Sequence, residues 1–415
     1  MTKILIILVL VLGVLAVAQL ARVYELTSKL RGKREEDISP GDNRMNAMLM
    51  WLFPVAYFAF FIWLIYKYGP HLLPIAASQH GRSLDKLYDF NWVILFVVFF
   101  LTNALLFYFA GKYVHSKDRK AFYYPHNNKL ELLWTSVPAA FLAVIIIYGL
   151  RTWNQITGPA SPDAVQVELY AKQFDWTIRY PGKDGVLGAT DYRLINGTNP
   201  LGIVTKASIV QRLSEIDKER AEAMERTENE ILPDDKLEEL SDHVAYLDRM
   251  RERITDLRTM MEEDMTEKGE ASPYAHGADD VVLKEFHLPV HREVKLLIRS
   301  QDVIHSAFIP HLRVQMNAVP GMTTTFKVTP TITTDSMRTV VKDDKFDFIL
   351  LCNKVCGASH YNMQMPLTVE PAEAFDTWLK EQEQKPFEAG PAPEAAAVDT
   401  TLAAPDMAVD TARMQ

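Results

Sequence analysis

Four long apolar runs in the first 155 residues, at 4–20, 47–66, 92–110 and 132–150, limit this chain more than any other feature. A helix needs ~20 apolar residues to cross a bilayer, with a lower bound near ~17, so the first run is marginal and the other three are ample. Trp51, Trp92, Trp134 and Trp153 fall at or near the ends of the runs, at the depth where amphipathic rings favour the headgroups. The first run has a second reading, because Lys3, a Leu/Ile/Val core and Ala16-Val17-Ala18 resemble a cleavable secretory signal.

Loop charge bears on that choice. The loop after run one carries Arg22, Lys29, Arg31, Lys33, Arg34 and Arg44, and the loop after run three carries Lys112, Lys117, Arg119, Lys120 and Lys129. Between runs two and three stand only Arg82 and Lys86, with Lys67 at the edge. Positive loops stay on the cytoplasmic side, which puts the N-terminus and everything after residue 151 outside. Cleavage of run one would strand its basic loop outside, so the sequence favours a retained helix and a four-helix anchor over residues 1–155.

Beyond the anchor, residues 156–386 turn to short alternating segments: VQVELYA, VVLKEFHL, VKLLIRS, TTTFKVTP, KFDFILLC and MPLTVE, separated by turn formers such as Pro181-Gly182 and Pro320-Gly321. Strands at this spacing predict an all-β sandwich or barrel. Residues 205–268 differ. Ile209, Leu213 and Ile216, then Leu237, Leu240, Val244, Leu247, Ile254, Leu257 and Met261, recur at helical spacing around a break at Leu232-Pro233. They predict an inserted helical hairpin, either a solvated cap on the sandwich or a docking surface for another subunit. The Ala/Pro-rich stretch 387–415 has no periodicity and predicts a disordered tail.

Composition removes several functions. A formal charge of −9 without a sustained basic patch argues against nucleic acid as a partner. Two cysteines exclude a disulfide-stapled scaffold, a four-cysteine zinc site, an all-cysteine iron–sulfur cluster and a c-type haem.

Both cysteines lie in one segment, C-N-K-V-C-G-A-S-H-Y-N-M, which places Cys352, Cys356, His360 and Met363 within twelve residues. The segment follows one strand and precedes another, so it forms a loop at one end of the sandwich. His305 follows the predicted strand VKLLIRSQDVI, and strand ends cluster in a sandwich. Thiolate, thioether and imidazole form a soft set that suits copper over calcium, magnesium or manganese. Two thiolates can bridge two copper ions, each completed by one His, with Met weakly on one and a backbone carbonyl on the other. A Cys352–Cys356 disulfide, a zinc site of two Cys and two His, and a C-x-x-x-C copper chaperone remain open on the residues alone.

The segment closely resembles the dinuclear CuA loop, C-x-E-x-C-G-x-x-H-x-x-M, of subunit II of haem–copper cytochrome c oxidases. Asp302-Val303-Ile304-His305-Ser306 resembles the family's D-V-L-H-S, and Asn317-Ala318-Val319-Pro320-Gly321 its D-A-x-P-G. Glu131, Trp134, Thr135 and Pro138 resemble its E-x-x-W-T-x-x-P, and Gln173-Phe174-Asp175-Trp176 its Q-W-x-W. The resemblance covers about residues 92–380 apart from the hairpin. It implies a cupredoxin-like sandwich on a transmembrane α-helical anchor, in a bacterial inner membrane with the N-terminus and the CuA domain periplasmic.

The same resemblance implies a copper pair held by His305, Cys352, Cys356, His360, Met363 and the carbonyl of Lys354. Electrons would enter from a cytochrome c, or a cytochrome c domain of a neighbouring complex, near Phe174 and Trp176, and leave to haem carried only by oxidase subunit I. Glu131 would lie at a proton-channel entrance, or be a carboxylate at the membrane interface. Membrane lipid is the remaining partner. Three departures stand out. Lys354 replaces a Glu whose side chain binds Mg²⁺ in the family, Phe174 replaces the entry Trp, and Asn317 and Met322 replace an Asp and an Arg. The other histidines lack cluster spacing, with His311 the one near enough to His305 to watch. A membrane-anchored copper chaperone or oxidase-assembly protein is the alternative function. A quinol-oxidase subunit would lack the ligands, and a nitrous-oxide reductase would need a propeller for which there is no room.

Overall fold

The computed structural model describes residues 2–30, 32, 39–116 and 119–387. Its elements are helices α1 (Thr2–Leu30), α2 (Pro40–Tyr68), α3 (Gln79–Lys112) and α4 (Asn128–Thr157), then strands β1 (Val165–Lys172) and β2 (Asp175–Tyr180). Helices α5 (Lys206–Asn229) and α6 (Asp234–Lys268) follow, then β3 (Val281–Leu283), β4 (Phe286–Pro289), β5 (Val294–Ser300), β6 (His305–Ile309), β7 (Val314–Ala318) and β8 (Thr324–Val328). The chain closes with α7 (Thr334–Val341), β9 (Phe348–Cys352), β10 (Gln364–Glu370) and α8 (Ala372–Gln382). The chain forms two compact units, one of residues up to 73 with 87–145, the other of 74–86 with 146 onward.

Among the described residues, four helices, which make up most of the first unit, are long and apolar enough to cross a membrane. Each extends beyond its apolar run, because caps and polar flanks continue the helical backbone past the hydrocarbon. Ser39, for instance, accepts the Asp42 N–H ahead of Pro40 at the start of α2. Rings pair α2 with α3: Phe61 with Phe99 at 4.6 Å, Phe58 with Phe100 at 5.1 Å and Trp51 with Tyr108 at 5.4 Å. One number of each pair rises as the other falls, so the two helices run antiparallel. Gly111 permits the approach, since a Cβ there would lie 2.7 Å from the Trp51 indole nitrogen.

The second unit is a sandwich of two five-stranded sheets, β3-β2-β1-β5-β8 and β4-β10-β9-β6-β7. Pairs β1–β5 and β10–β4 are parallel and the rest antiparallel. Alternate residues face inward, as the pleat requires. Val167, Leu169 and Ala171 of β1 are buried in the core, with Trp176 and Ile178 of β2, Val294, Leu296 and Ile298 of β5, and Phe348 and Leu350 of β9. Segment 74–86, assigned to the anchor by its sequence, belongs to this unit. Ala77 N–H donates to His311 O at 2.7 Å, and Arg313 pairs with Asp85 at 2.9 Å.

The hairpin is as expected in place and type. A reciprocal capping box of Thr205 and Ser208 starts α5, and Gly269 at φ 57° ends α6. Ile209, Ile216, Leu247, Ile254, Leu257 and Met261 form its seam and pack on Leu194 and Val204 at its base. The outward face of β1 and β2 lies beneath the chain entering and leaving this insertion. There Arg179, 1% exposed, pairs with Glu168 at 2.9 Å and with Asp280, and donates to the Gly188 carbonyl. Arg299 reaches the other oxygen of Glu168 at 2.8 Å.

Three further sequence expectations need correction. VVLKEFHL is not one strand: it breaks after Leu283, with β3 in one sheet and β4 in the other. His305 does not trail the preceding strand; β5 ends at Ser300, and His305 opens β6 in the opposite sheet. Phe387 is not part of a disordered tail, because its N–H donates to Asp280 O at 2.8 Å and its ring packs beside Tyr170, Leu201 and Ile203. The rest of that tail, 388–415, lies outside the described residues.

Removing the guanidinium with Arg179→Met leaves the buried Asp280 without its counter-charge and Glu168 with Arg299 alone. Breaking such a pair costs about 3–5 kcal/mol, so the urea midpoint of the sandwich, followed by tryptophan fluorescence, is expected to fall accordingly. A change below about 0.5 kcal/mol, the size of an ordinary surface substitution, would show that the network contributes no net stability.

Candidate metal centre

Period-2 alternation builds one end of the core. In the second sheet β9 lies between β10 and β6. The inward series of β9 runs Phe348, Leu350, Cys352, that of β6 runs from His305 through Ala307 to Ile309, and Met363 precedes Met365 and Leu367 of β10. Register holds them together, because Cys352 pairs with Ala307 and its N–H donates to Met363 O at 3.0 Å. The loop after Cys352 returns through a single 3-10 turn at His360–Asn362, which presents His360 beside Cys356.

The donor atoms converge. The two Sγ atoms lie 3.9 Å apart, far beyond the ~2.05 Å of a disulfide, and both thiols are free. Cys352 Sγ is 3.8 Å from His305 Nδ1 and 3.2 Å from the Lys354 carbonyl oxygen. Cys356 Sγ is 3.6 Å from His360 Nδ1 and 3.9 Å from Met363 Sδ. His305, Cys352 and Cys356 form a group whose ligand atoms lie within 4.8 Å of one another, all three buried. The Lys354 side chain points to solvent.

Electrostatics prepare these groups for a cation. His305 Nε2 lies 2.9 Å from Asp302 Oδ1, which fixes the tautomer with its proton on Nε2 and leaves the Nδ1 lone pair facing the thiols. Burial acts to raise Asp302, but hydrogen bonds from His305 and from the Gln173 and Val303 N–H groups hold its carboxyl below the usual range. Burial, then the neighbouring Cys352, push the Cys356 thiol up to about 11. A fully buried imidazole, two thiols, a thioether and a carbonyl fit a soft metal pair.

The remaining candidates are placed as follows. The ring of Phe174 is half-buried and lies on Gly357, where a Cβ would meet its Cζ at 2.8 Å. Gly357, at φ 140°, is therefore a position that only glycine fits. Trp176 is fully buried, with its ring edge toward His305 at a centroid distance of 6.4 Å. Glu131, in the first turn of α4, accepts the Asn127 N–H at 3.3 Å. His311 is remote in role: its ring packs edge-on against Phe346 and Phe348, and burial lowers its pKa. Sequence reasoning gave no role to Gln173, Asp302 or Gly357. Each stood inside a quoted motif, but their bonds cross between segments more than a hundred residues apart.

A β-sandwich that gathers His, Cys, Cys, His and Met at one strand end, behind four apolar helices, defines a membrane-anchored cupredoxin-like metal domain. Family models for the transmembrane and periplasmic domains of cytochrome c oxidase subunit II match residues 65–152 and 258–372. An alternative cytochrome c oxidase subunit 2 from Bradyrhizobium diazoefficiens is 30% identical over 77% of this chain and 87% of its own length. A cytochrome c oxidase subunit 2 from Thermostichus vulcanus is 23% identical over 77% and 81%. The solved periplasmic domain of subunit II of a Bradyrhizobium japonicum cytochrome oxidase is similar at 15% identity over 55% of this chain and 99% of that one, with a TM-score of 0.27. The chain belongs to the cytochrome c oxidase subunit II family, whose members are components of an oxidoreductase complex. The family is copper-containing, and here it brings a membrane anchor and a periplasmic-type domain.

The Cys356 thiol, held protonated by burial, must lose its proton to ligate a metal, so metal uptake releases protons and weakens as pH falls. Adding cuprous ion to the metal-free full-length chain in weak buffer is expected to acidify it. The apparent affinity should rise steadily between pH 6 and pH 8. A pH-independent affinity would show that the thiols are not the ligands.

Proposed function

We propose that this chain is the electron-accepting subunit II of a respiratory oxidase. It takes electrons from a cytochrome c and delivers them toward haem in a partner subunit I, where oxygen is reduced to water. The observation that carries this reading is the convergence of two imidazoles, a thioether and one carbonyl on two thiols 3.9 Å apart. When bound there, a dinuclear copper centre supplies one-electron chemistry in which both metals share the added charge. His305, Cys352, Cys356, His360, Met363 and the Lys354 carbonyl would hold it.

The residues around it bind and orient. Asp302 keeps His305 in the ligating tautomer, and the sandwich core beneath Cys352 and Met363 excludes water from one side. Phe174 covers the loop at Gly357 and is the half-exposed ring through which a donor would approach. Trp176, buried against His305, would couple that approach to the interior. For Glu131, at the start of α4, we propose the proton-channel entrance that the resemblance implies, in a bacterial inner membrane with the sandwich on the periplasmic side.

The test is His360→Ala in the full-length chain. It should abolish the electron paramagnetic resonance signal of an electron shared by two coppers while leaving the β circular-dichroism signature in place. A retained signal would remove His360 from the ligand set and return the chain to the chaperone or assembly alternative.

A further inference from the structure

Three chain segments meet at Gln173, in the turn between β1 and β2. Its backbone N–H donates to Asp302 Oδ2 at 2.7 Å. Its side-chain amide donates to the carbonyl of Cys356. The other oxygen of Asp302 accepts the Val303 N–H at 2.7 Å and lies 2.9 Å from His305 Nε2. One residue of the first sheet therefore ties the carboxylate behind one imidazole to the loop that carries the other. Neither of these Gln173 bonds goes to a candidate ligand atom.

We propose that Gln173 is a positioning residue that fixes the two halves of the metal centre relative to one another and sets their electron affinity. This rests on the function proposed above. The amide N–H on the Cys356 carbonyl withdraws charge from the peptide that carries that thiol, which favours the more negative, reduced state. Hydrogen bonds near thiolate ligands are a general lever on metal potentials. Gln173 also sits directly beside Gly357, whose Cβ would meet the amide nitrogen at 2.8 Å. Gln173 is itself exposed, so its amide is placed by the bond to the Cys356 carbonyl and by its approach to Gly357.

Two variants separate tuning from scaffolding. Gln173→Leu keeps bulk and loses the donor; Gln173→Glu keeps the shape and places an acceptor against the carbonyl. Both keep the backbone bond to Asp302. In the full-length chain within its oxidase complex, both should retain two coppers. At a fixed ambient potential the Leu variant should shift the oxidised-to-reduced ratio about three- to tenfold toward oxidised, tenfold being 59 mV for a one-electron couple. The Glu variant should shift it further, with an altered copper hyperfine pattern. Unchanged ratios and hyperfine patterns in both variants would overturn the proposal. Loss of copper from both would do so too, by making Gln173 part of the loop's folding. A wild-type chain without a shared-electron signal would instead overturn the proposed function, so the two failures are told apart.

Discussion

Inward alternation on three adjacent strands, β10, β9 and β6, is the constraint on which the rest of this structure depends. The same period that buries Phe348 and Leu350 carries Cys352 to the end of the core, and the register to β6 sets His305 within reach of its sulfur. A one-residue slip of β9 would turn Cys352 to the outer face and Leu351 inward. The placing of the candidate ligands Cys352 and His305 is therefore a property of sheet register, and the loop supplies Cys356, His360, Met363 and the carbonyl. What alternation cannot supply is solvation. Under the proposed function, two buried thiols and a fully buried imidazole would gain their compensation from a bound cation, which would make metal binding and folding of this end of the sandwich a single problem.

The insertion follows a different logic. Its hairpin makes its own seam, and the chain leading into it roofs the outward face of β1 and β2, where Arg179, Glu168 and Asp280 are sealed from water. Outward residues of a sheet are ordinarily solvated. Here they form an ion-pair layer beneath added chain, while the inward face packs the core of the sandwich. The two hairpin accounts offered by the sequence differ in what lies beyond the hairpin, while its base is already fixed to the sandwich.

Much of this was legible from residues. The apolar runs marked the helices, the hairpin's stripe named its seam residues, and the spacing of Cys352, Cys356, His360 and Met363 identified the loop. Long-range bonds were hidden. Local pattern could not show that His305 changes sheets, because a turn at residues 301–304 and a continued strand differ only in which sheet receives the next residues. The same holds for Lys284 and Glu285, which read as strand but separate β3 from β4. Gln173 and Asp302 were visible as letters in motifs. Asp302 bonds His305 three residues on, but the bonds from Gln173 to Asp302 and to Cys356 exist only in three dimensions. Segment 74–86 was misplaced for the same reason, since its flanks are membrane helices and its partners are His311, Arg313 and Thr329.

The central claim is that two thiols at the end of the sandwich hold a pair of copper ions that share charge. Metal analysis combined with electron paramagnetic resonance on the purified full-length chain tests it most directly, because segment 74–86 belongs with the sandwich and should be kept. The account predicts two coppers per chain, with one unpaired electron divided equally between them. A single copper with its electron localised, or zinc in place of copper, would contradict it.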